Sequence, residues 1–153
     1  MTAPTITNGV YFLQNIRTRT VIDLHRGSSS FSILPTNATI IPRLVLGFVK
    51  HELDDIWASV QLWIITRIGN TEEYTIQKSN SRTYLDLKGK NGGHATPVIC
   101  HHQTGRQSQR WVVKCNSKKM AYAGSDNNTP IKTSVGSSHN TDNENQLWHI
   151  VRA

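Results

Sequence analysis

A short motif, a Gln followed after one intervening residue by a Trp, occurs three times in this chain of 153 residues. The copies are Gln61-Leu62-Trp63, Gln109-Arg110-Trp111 and Gln146-Leu147-Trp148. The first two are 48 residues apart and the last two are 37 apart, about the size of one small β supersecondary unit. An internal repeat at this spacing constrains the architecture of the whole chain more strongly than any local pattern does.

A second pattern is duplicated without a gap. It consists of Tyr-x-aliphatic-Gln followed by Arg-Thr-x-aliphatic-Asp-Leu, and the Asp lies 12 residues after the Tyr in both copies. The first copy runs from Tyr11 to Leu24 and the second from Tyr74 to Leu87. A third copy is degenerate, because the segment after its first predicted strand, Met120-Ala121-Tyr122-Ala123, contains no Asp.

Each copy is typical of short β-strands. Tyr11 and Leu13, like Tyr74 and Ile76, alternate with more polar residues, which is the period of a half-buried strand. Clusters of Gly, Asn and Ser between the strands predict turns. Threefold repetition favours a closed arrangement because closure removes exposed strand edges. We therefore predict one all-β domain over residues 1–153, with repeats at about 8–66, 67–114 and 115–153.

The Gln-x-Trp unit has a structural rationale. A Trp buries a large apolar area, so the three repeated Trp residues are predicted to pack in the core rather than to stack on a ligand. The Gln two residues earlier is expected on the same side of a strand, where it can satisfy backbone groups at a buried turn. Repeats of this kind favour a binding protein over an enzyme.

From about residue 8 to residue 151 the chain resembles the ricin B-type β-trefoil family, in which each of three repeats ends in Gln-x-Trp. The resemblance implies a β-trefoil of twelve strands, six in a barrel and six in a hairpin cap. The middle repeat is similar to small ricin B-like lectins of mushrooms, in which a run of Asp-Leu-x-Gly-x-Asn, His-His and Gln-x-Trp holds a galactose-type sugar. The matching site residues here are Asp86, Gly89, His101, His102, Ser108 and Gln109.

The resemblance also implies roles for these residues. Asp86 would accept sugar hydroxyl protons, the Gly89 backbone N–H would donate to the sugar, and His101 would stack on the ring or hydrogen-bond to it. Ser108 stands where the family often has Asn, which is a longer group. The structural alternative is that Asp86 caps a turn and that the two histidines lie exposed at a strand end.

The other two repeats match the sugar-binding pattern less well. The first has Asp23, but Arg26 replaces the Gly, there is no His-His pair, and Val60 precedes the Gln. The third has Asn145 before its Gln but lacks the Asp. The expectation is a non-enzymatic lectin with one site for galactose- or N-acetylgalactosamine-type glycans. The alternatives are an accessory subunit, similar to the lectin-like light subunit of mushroom tyrosinase, and a protease inhibitor on the same scaffold.

The first repeat is longer than the second by 15 residues between its Asp and its Gln. The surplus is placed between about residues 37 and 59, in a segment more apolar than a loop requires. We predict either that this insertion packs across a flank of the barrel or that the region from Leu44 to Trp57 contacts a protein partner or a second copy of the chain.

Composition limits the partners. The formal net charge of +7 suits acidic ligands, but the basic residues are scattered and form no stripe interleaved with aromatic residues, so no nucleic acid is expected. No apolar run approaches the roughly 20 residues that cross a bilayer. The N-terminal segment lacks the pattern of a conventional signal peptide. We expect a cytoplasmic protein, or one secreted by another route.

No cofactor, metal site or catalytic centre is predicted. His101 and His102 are adjacent, and neighbours on a strand point to opposite faces, so they are not expected to share a metal ion. The spacing of Cys100 and Cys115 is not that of a zinc site. These two cysteines are predicted to be reduced and buried, with a single disulfide bridge as the alternative.

Overall fold

The computed structural model describes residues 6–24, 43–90, 96–113, 129–130 and 148–153. Several sequence predictions fall outside these ranges: the replacement of the Gly by Arg26, the degenerate third copy at residues 120–123, Asn145 and Gln146, the state of Cys115, and the part of the insertion before residue 43.

Ten β-strands lie within the described residues, and every one of their pairings is antiparallel. They are β1 Gly9–Asn15, β2 Thr20–Leu24, β3 Arg43–Val49, β4 Trp63–Arg67, β5 Glu73–Lys78, β6 Tyr84–Leu87, β7 Val98–His101, β8 Trp111–Val112, β9 Thr129–Pro130 and β10 Trp148–Arg152. Short 3₁₀ turns span Ala58–Gln61, Lys88–Lys90 and Gln107–Gln109.

The strands form one sheet that closes on itself. The order is β1-β2-β3-β7-β6-β5-β4, and a further pairing of β4 with β1 completes the ring. Strands β10, β9 and β8 pair with β1, β3 and β5, respectively. The prediction of a closed all-β fold is therefore confirmed. None of the helices in the described ranges has the length and apolar character to cross a bilayer.

The duplicated Tyr-to-Leu pattern has the same geometry in both copies. After the first strand, the Gln side chain donates from Nε2 to the carbonyl of an Arg, over 2.8 Å from Gln14 to Arg19 and 3.0 Å from Gln77 to Arg82. Both Arg residues have a left-handed backbone, with φ of 60° and 59°. The sequence pattern therefore records a tight turn that a side-chain amide stabilises.

The core of the molecule fills the inside of the ring. Trp63 is completely buried, and Trp111 and Trp148 are partly buried against the same cluster, which confirms core packing for these residues. The members of the cluster are Tyr11, Leu13, Ile22, Leu24, Val45, Trp63, Ile65, Tyr74, Ile76, Leu85, Val98 and Cys100. Burial raises the pKa of the free Cys100 thiol to about 12, so this thiol is unreactive near neutral pH.

The predicted position of the insertion was wrong in part. Residues 43–49 form β3, which pairs with β2 and β7 and is itself one of the strands of the ring. In the first repeat Asp23 pairs with Leu46, and in the second repeat Asp86 pairs with Ile99, so Leu46 and Ile99 are equivalent positions. On that alignment, ten of the surplus residues precede Leu46 and five fall in the loop between β3 and Gln61. An apolar run does not by itself distinguish a barrel strand from an inserted segment.

Lys78 lies at the end of β5 and is completely buried. Its Nζ donates to the carbonyls of Ser59 at 2.7 Å and Leu62 at 3.1 Å, and lies 5.0 Å from the centroid of the Trp63 ring. Loss of solvation lowers its pKa to about 7, although the nearby Asp23 acts in the opposite direction. The equivalent position in the first copy is Asn15, which is also buried.

Lys78 should make stability depend on pH. Its native pKa lies below its unfolded value of about 10.4, so the unfolded chain binds the proton more tightly and stability rises with pH above 7. The free energy of unfolding of the wild type, minus that of Lys78→Met, should increase by roughly 1.4 kcal/mol per pH unit between about pH 7 and 9. Denaturant titrations measure this difference. Lys88→Met, at an exposed lysine, is the control. A flat result for Lys78→Met, or an equal pH dependence in the two variants, would contradict the prediction.

Candidate functional site

One side chain organises the end of the middle repeat. Gln109 is buried at the end of a 3₁₀ turn, and its Nε2 donates to the Asp86 carboxylate at 3.0 Å and to the His102 carbonyl at 2.7 Å. Its Oε1 accepts the backbone N–H of Thr104 at 2.9 Å. A single amide thus connects the carboxylate on β6 to the segment that follows β7.

The first repeat contains the same arrangement. Gln61 Nε2 donates to Asp23 at 3.0 Å and to the Val49 carbonyl at 2.8 Å, and its Oε1 accepts the His51 N–H at 2.7 Å. The Gln therefore satisfies backbone groups, as predicted, but it lies in a 3₁₀ turn and not on a strand. The hydrogen bond to the Asp was not predicted, because the residues are 38 positions apart in one repeat and 23 in the other.

In the first two motifs, the Trp holds the residue next to the Asp. Trp63 Nε1 donates to the carbonyl of Ile22 at 3.0 Å, and Trp111 Nε1 donates to that of Leu85 at 3.1 Å. Each acceptor residue directly precedes the Asp that the Gln holds. The Gln-x-Trp motif therefore fixes two consecutive residues of the strand that carries the carboxylate.

In the middle repeat, this Asp borders a surface cavity of about 380 Å³. The lining residues are Asp86, Leu87, Gly89, Ile99, His101, His102, Thr104, Arg106 and Ser108. Five of the six predicted site residues line the cavity together. The sixth, Gln109, lies behind Asp86 and acts on it as a positioning residue.

Two polar atoms beside the cavity have no hydrogen-bond partner among the described residues. They are His101 Nδ1 and Ser108 Oγ, and both are buried. His101 Nδ1 is 3.9 Å from Asp86 Oδ2, which is too long for a hydrogen bond. A buried polar atom without a partner costs stability, so a ligand that pairs with these atoms would offset that cost.

The Asp86 carboxylate keeps some acceptor capacity. Its Oδ1 accepts the Leu87 N–H at 2.7 Å and its Oδ2 accepts from Gln109. A carboxylate offers about four lone-pair sites, so it can accept further hydrogen bonds from a ligand. Gly89 follows at φ +66°, in the left-handed region that favours glycine.

The two histidine rings lie side by side. Their centroids are 4.0 Å apart, at an interplanar angle of 41°, and both rings line the cavity. The prediction that they point to opposite faces was wrong, because β7 ends at His101 and His102 lies beyond the strand. Within the described ranges, no three His, Cys, Asp or Glu side chains are grouped as metal ligands.

Sequence reasoning missed four lining residues, namely Leu87, Ile99, Thr104 and Arg106. Thr104 and Arg106 lie between the His-His pair and the Gln in the sequence, and this position could have indicated that they line the site. Their turn is held by local hydrogen bonds, since the Arg106 N–H donates to Thr104 Oγ1 at 3.3 Å and the Gln109 N–H donates to the Arg106 carbonyl at 3.1 Å.

The first repeat has the same contact between Gln and Asp, but different side chains surround it. The sheet register places Phe48, opposite Val21, where the second repeat has His101, opposite Tyr84. Val49 then takes the place of His102, so the lack of a histidine pair read from the sequence holds in three dimensions. Burial raises the pKa of Asp23, against the hydrogen bond from Gln61 and the charge of Lys78.

The chain is similar to one protein family in sequence and to several solved structures in fold. A family model described as "Ricin-type beta-trefoil lectin domain-like" matches residues 2–101. The chain is similar in structure to the Rhizoctonia solani agglutinin, with a TM-score of 0.71, 19% identity, and coverage of 98% of this chain and 99% of that one. The Macrolepiota procera ricin B-like lectin in complex with lactose gives 0.64 and 16%, with coverage of 98% and 100%.

A designed protein with threefold symmetry, ThreeFoil, gives a TM-score of 0.70 and 17% identity over 95% of this chain and 99% of its own. At such identities the likeness establishes the fold alone. No curated protein sequence matches the chain.

The contacts of Gln109 generate a stability prediction. Gln109→Ala leaves the Asp86 carboxylate and two backbone groups without their partner, at about 1–3 kcal/mol for an unsatisfied buried group. We expect a loss of roughly 2–4 kcal/mol in the free energy of unfolding by denaturant titration. Gln107→Ala, at an exposed Gln on the same turn, is the matched control and should change stability by about 0.5 kcal/mol or less. Equal effects of the two variants would contradict the assigned role.

Proposed function

The chain belongs to the family of ricin-type β-trefoil lectin-like domains, and we propose that it is a non-enzymatic carbohydrate-binding protein with its site in the middle repeat. The proposed ligand is a glycan that ends in a galactose- or N-acetylgalactosamine-type sugar. The observation that carries the proposal is the Asp86 carboxylate, which borders an open cavity and is held in place by Gln109.

A fixed carboxylate suits sugar recognition. Neighbouring hydroxyls of a sugar are hydrogen-bond donors, and a carboxylate accepts two of them with more strength than a neutral oxygen does. Because Gln109 already fixes the Asp86 side chain, little conformational entropy is lost when the sugar binds. The same Gln keeps the backbone at His102 and Thr104 in position, so the carboxylate and the cavity wall form one preorganised unit.

The remaining lining residues supply the other requirements of a sugar site. The adjacent rings of His101 and His102 offer flat surfaces for the C–H face of the sugar, and their nitrogen atoms can hydrogen-bond to hydroxyls. Ser108 Oγ has no partner among the described residues and can either donate or accept. Leu87 and Ile99 add apolar wall, which is the usual composition of a ligand pocket.

The duplicated Asp gives this proposal a matched control. In both Asp86→Asn and Asp23→Asn, the charge is lost and the single amide oxygen can accept either from the Gln or from the N–H of the next residue. The local cost to the fold is therefore the same in the two variants, and only Asp86 borders the cavity. Hydrogen bonds to charged groups contribute about 1.5–3 kcal/mol, so Asp86→Asn should weaken galactose or lactose binding by roughly 10- to 100-fold in calorimetry. Asp23→Asn should leave binding unchanged. Unchanged binding in Asp86→Asn, or an equal loss in both variants, would refute the site.

A second proposal concerns the loop between β3 and the 3₁₀ turn that holds Gln61. We infer that it is a contact surface for a second copy of the chain. Three large apolar side chains there are exposed, Leu53 by 58%, Ile56 by 82% and Trp57 by 51%. The loop itself is well anchored, because the backbone N–H of Trp57 donates to Asp55 Oδ1 at 2.8 Å and His51 Nδ1 lies 3.0 Å from Asp55 Oδ2.

Charge favours a second copy as the occupant. Residues 50–57 contain one lysine and three carboxylates, whereas the whole chain carries a formal net charge of +7. An acidic, apolar loop on a basic protein is complementary to the rest of another copy. Dimerisation would also give a lectin with one site per chain a gain in avidity for clustered glycans.

Sedimentation velocity tests this surface. The double variant Ile56→Ser, Trp57→Ser should be monomeric at concentrations at which the wild type dimerises, because it loses the apolar contact. Val112→Ser, at an exposed apolar residue on β8, is the control and should retain the dimer. A wild-type protein that remains monomeric at its solubility limit would refute the proposal.

A further inference from the structure

The cavity of the middle repeat contains a cation that a neutral sugar does not need. Arg106 lines this cavity together with Asp86, and its side chain is exposed. No hydrogen bond or ion pair joins its guanidinium group to any of the described residues, although Arg110 pairs with Glu73 at 3.4 Å and Arg152 donates to Thr7 at 3.1 Å. Arg106 is therefore available to a ligand.

Two hydrogen bonds hold the backbone of Arg106. Its N–H donates to Thr104 Oγ1 and its carbonyl accepts from the Gln109 N–H. Gln109 also fixes Asp86, so the origin of the Arg106 side chain and the carboxylate are set by the same turn. The Cα of Arg106 and the Asp86 carboxylate are thus held in a constant relation, and the guanidinium, which has no partner among the described residues, can reach a ligand bound beside the carboxylate.

The chemistry of the lining residues divides into two parts. Asp86, Ser108 and His101 suit uncharged hydroxyls, because they provide an acceptor and two atoms that lack partners among the described residues. Arg106 provides a planar fork of N–H donors, whose geometry matches a carboxylate or a sulfate. A neutral sugar would use the first part only.

We propose that the preferred ligand is an acidic glycan, in which the galactose-type ring binds at Asp86 and an attached carboxylate or sulfate group pairs with Arg106. This inference rests on the proposed function and specifies the substrate class of that same site. The net charge of +7 would speed the approach of such glycans from a distance, but only a group inside the cavity can distinguish an acidic glycan from its neutral parent.

The test compares lactose, sialyllactose and sulfated lactose as ligands for the wild-type protein. Calorimetry at low and at high salt gives the ratio of the Kd for lactose to the Kd for each acidic form. We expect a ratio of about ten or more, since charge-assisted hydrogen bonds contribute at least about 1.5 kcal/mol. A high ratio for sialyllactose indicates that Arg106 binds a carboxylate. A high ratio for sulfated lactose indicates that it binds a sulfate. Either result supports the proposal.

Two variants separate local from general charge effects. Arg106→Gln should bring the ratio close to one, and Arg106→Lys should recover only part of it because lysine lacks the planar fork. Arg17→Gln removes the same charge at an exposed turn after β1 and should leave the ratio unchanged. An equal fall in Arg17→Gln and Arg106→Gln would mean that long-range charge alone is responsible, which would overturn the assignment.

The failure of this inference and that of the proposed function look different. If the wild type binds lactose and the acidic forms equally well, and Asp86→Asn weakens the binding of both, the site stands and the acidic preference is wrong. If neither the neutral nor the acidic forms bind, the proposed function is wrong and this inference fails with it.

Discussion

The contact on which both described repeats depend is the one between a Gln amide, an Asp carboxylate and two backbone groups. It joins the strand that carries the Asp to the connection that follows the next strand, over 38 residues in the first repeat and 23 in the second. All three partners of the Gln are buried or partly buried, so an unmade bond would be costly. The Trp two residues later bonds to the residue before the Asp and fills the core.

The contact between Gln and Asp is kept although the lengths of the surrounding segments and the neighbouring side chains differ between the two repeats. The first repeat accommodates 15 additional residues, of which ten precede Leu46 and five lie in the loop before Gln61, without a change in the contacts of the Gln. Equivalent positions carry Phe48 in one copy and His101 in the other. The side chains near the Asp can therefore differ between these two repeats while the fold is kept, because the bonds that both repeats share are made by the Gln and the Trp.

The sequence was most informative where its pattern recurred. Three Gln-x-Trp motifs and the duplicated Tyr-to-Leu pattern predicted a closed all-β fold with the Trp residues in the core, since a repeated pattern of burial and turns is strongly constrained. It was least informative for single segments. The apolar residues from Leu44 to Val49 look alike whether they form an insertion or a barrel strand, and the local sequence around His101 and His102 did not reveal that β7 ends between them.

The sequence by itself determined the repeat and predicted six residues of the candidate site. The resemblance to ricin B-like lectins implied Asp86, Gly89, His101, His102, Ser108 and Gln109, because the family's pattern of residue types is present in the middle repeat. Only the tertiary structure decided their roles. It places Gln109 behind the Asp rather than in the cavity, adds Thr104 and Arg106 to the lining, and leaves His101 Nδ1 and Ser108 Oγ without partners among the described residues. These properties depend on distances between strands that are far apart in sequence, which no local pattern records.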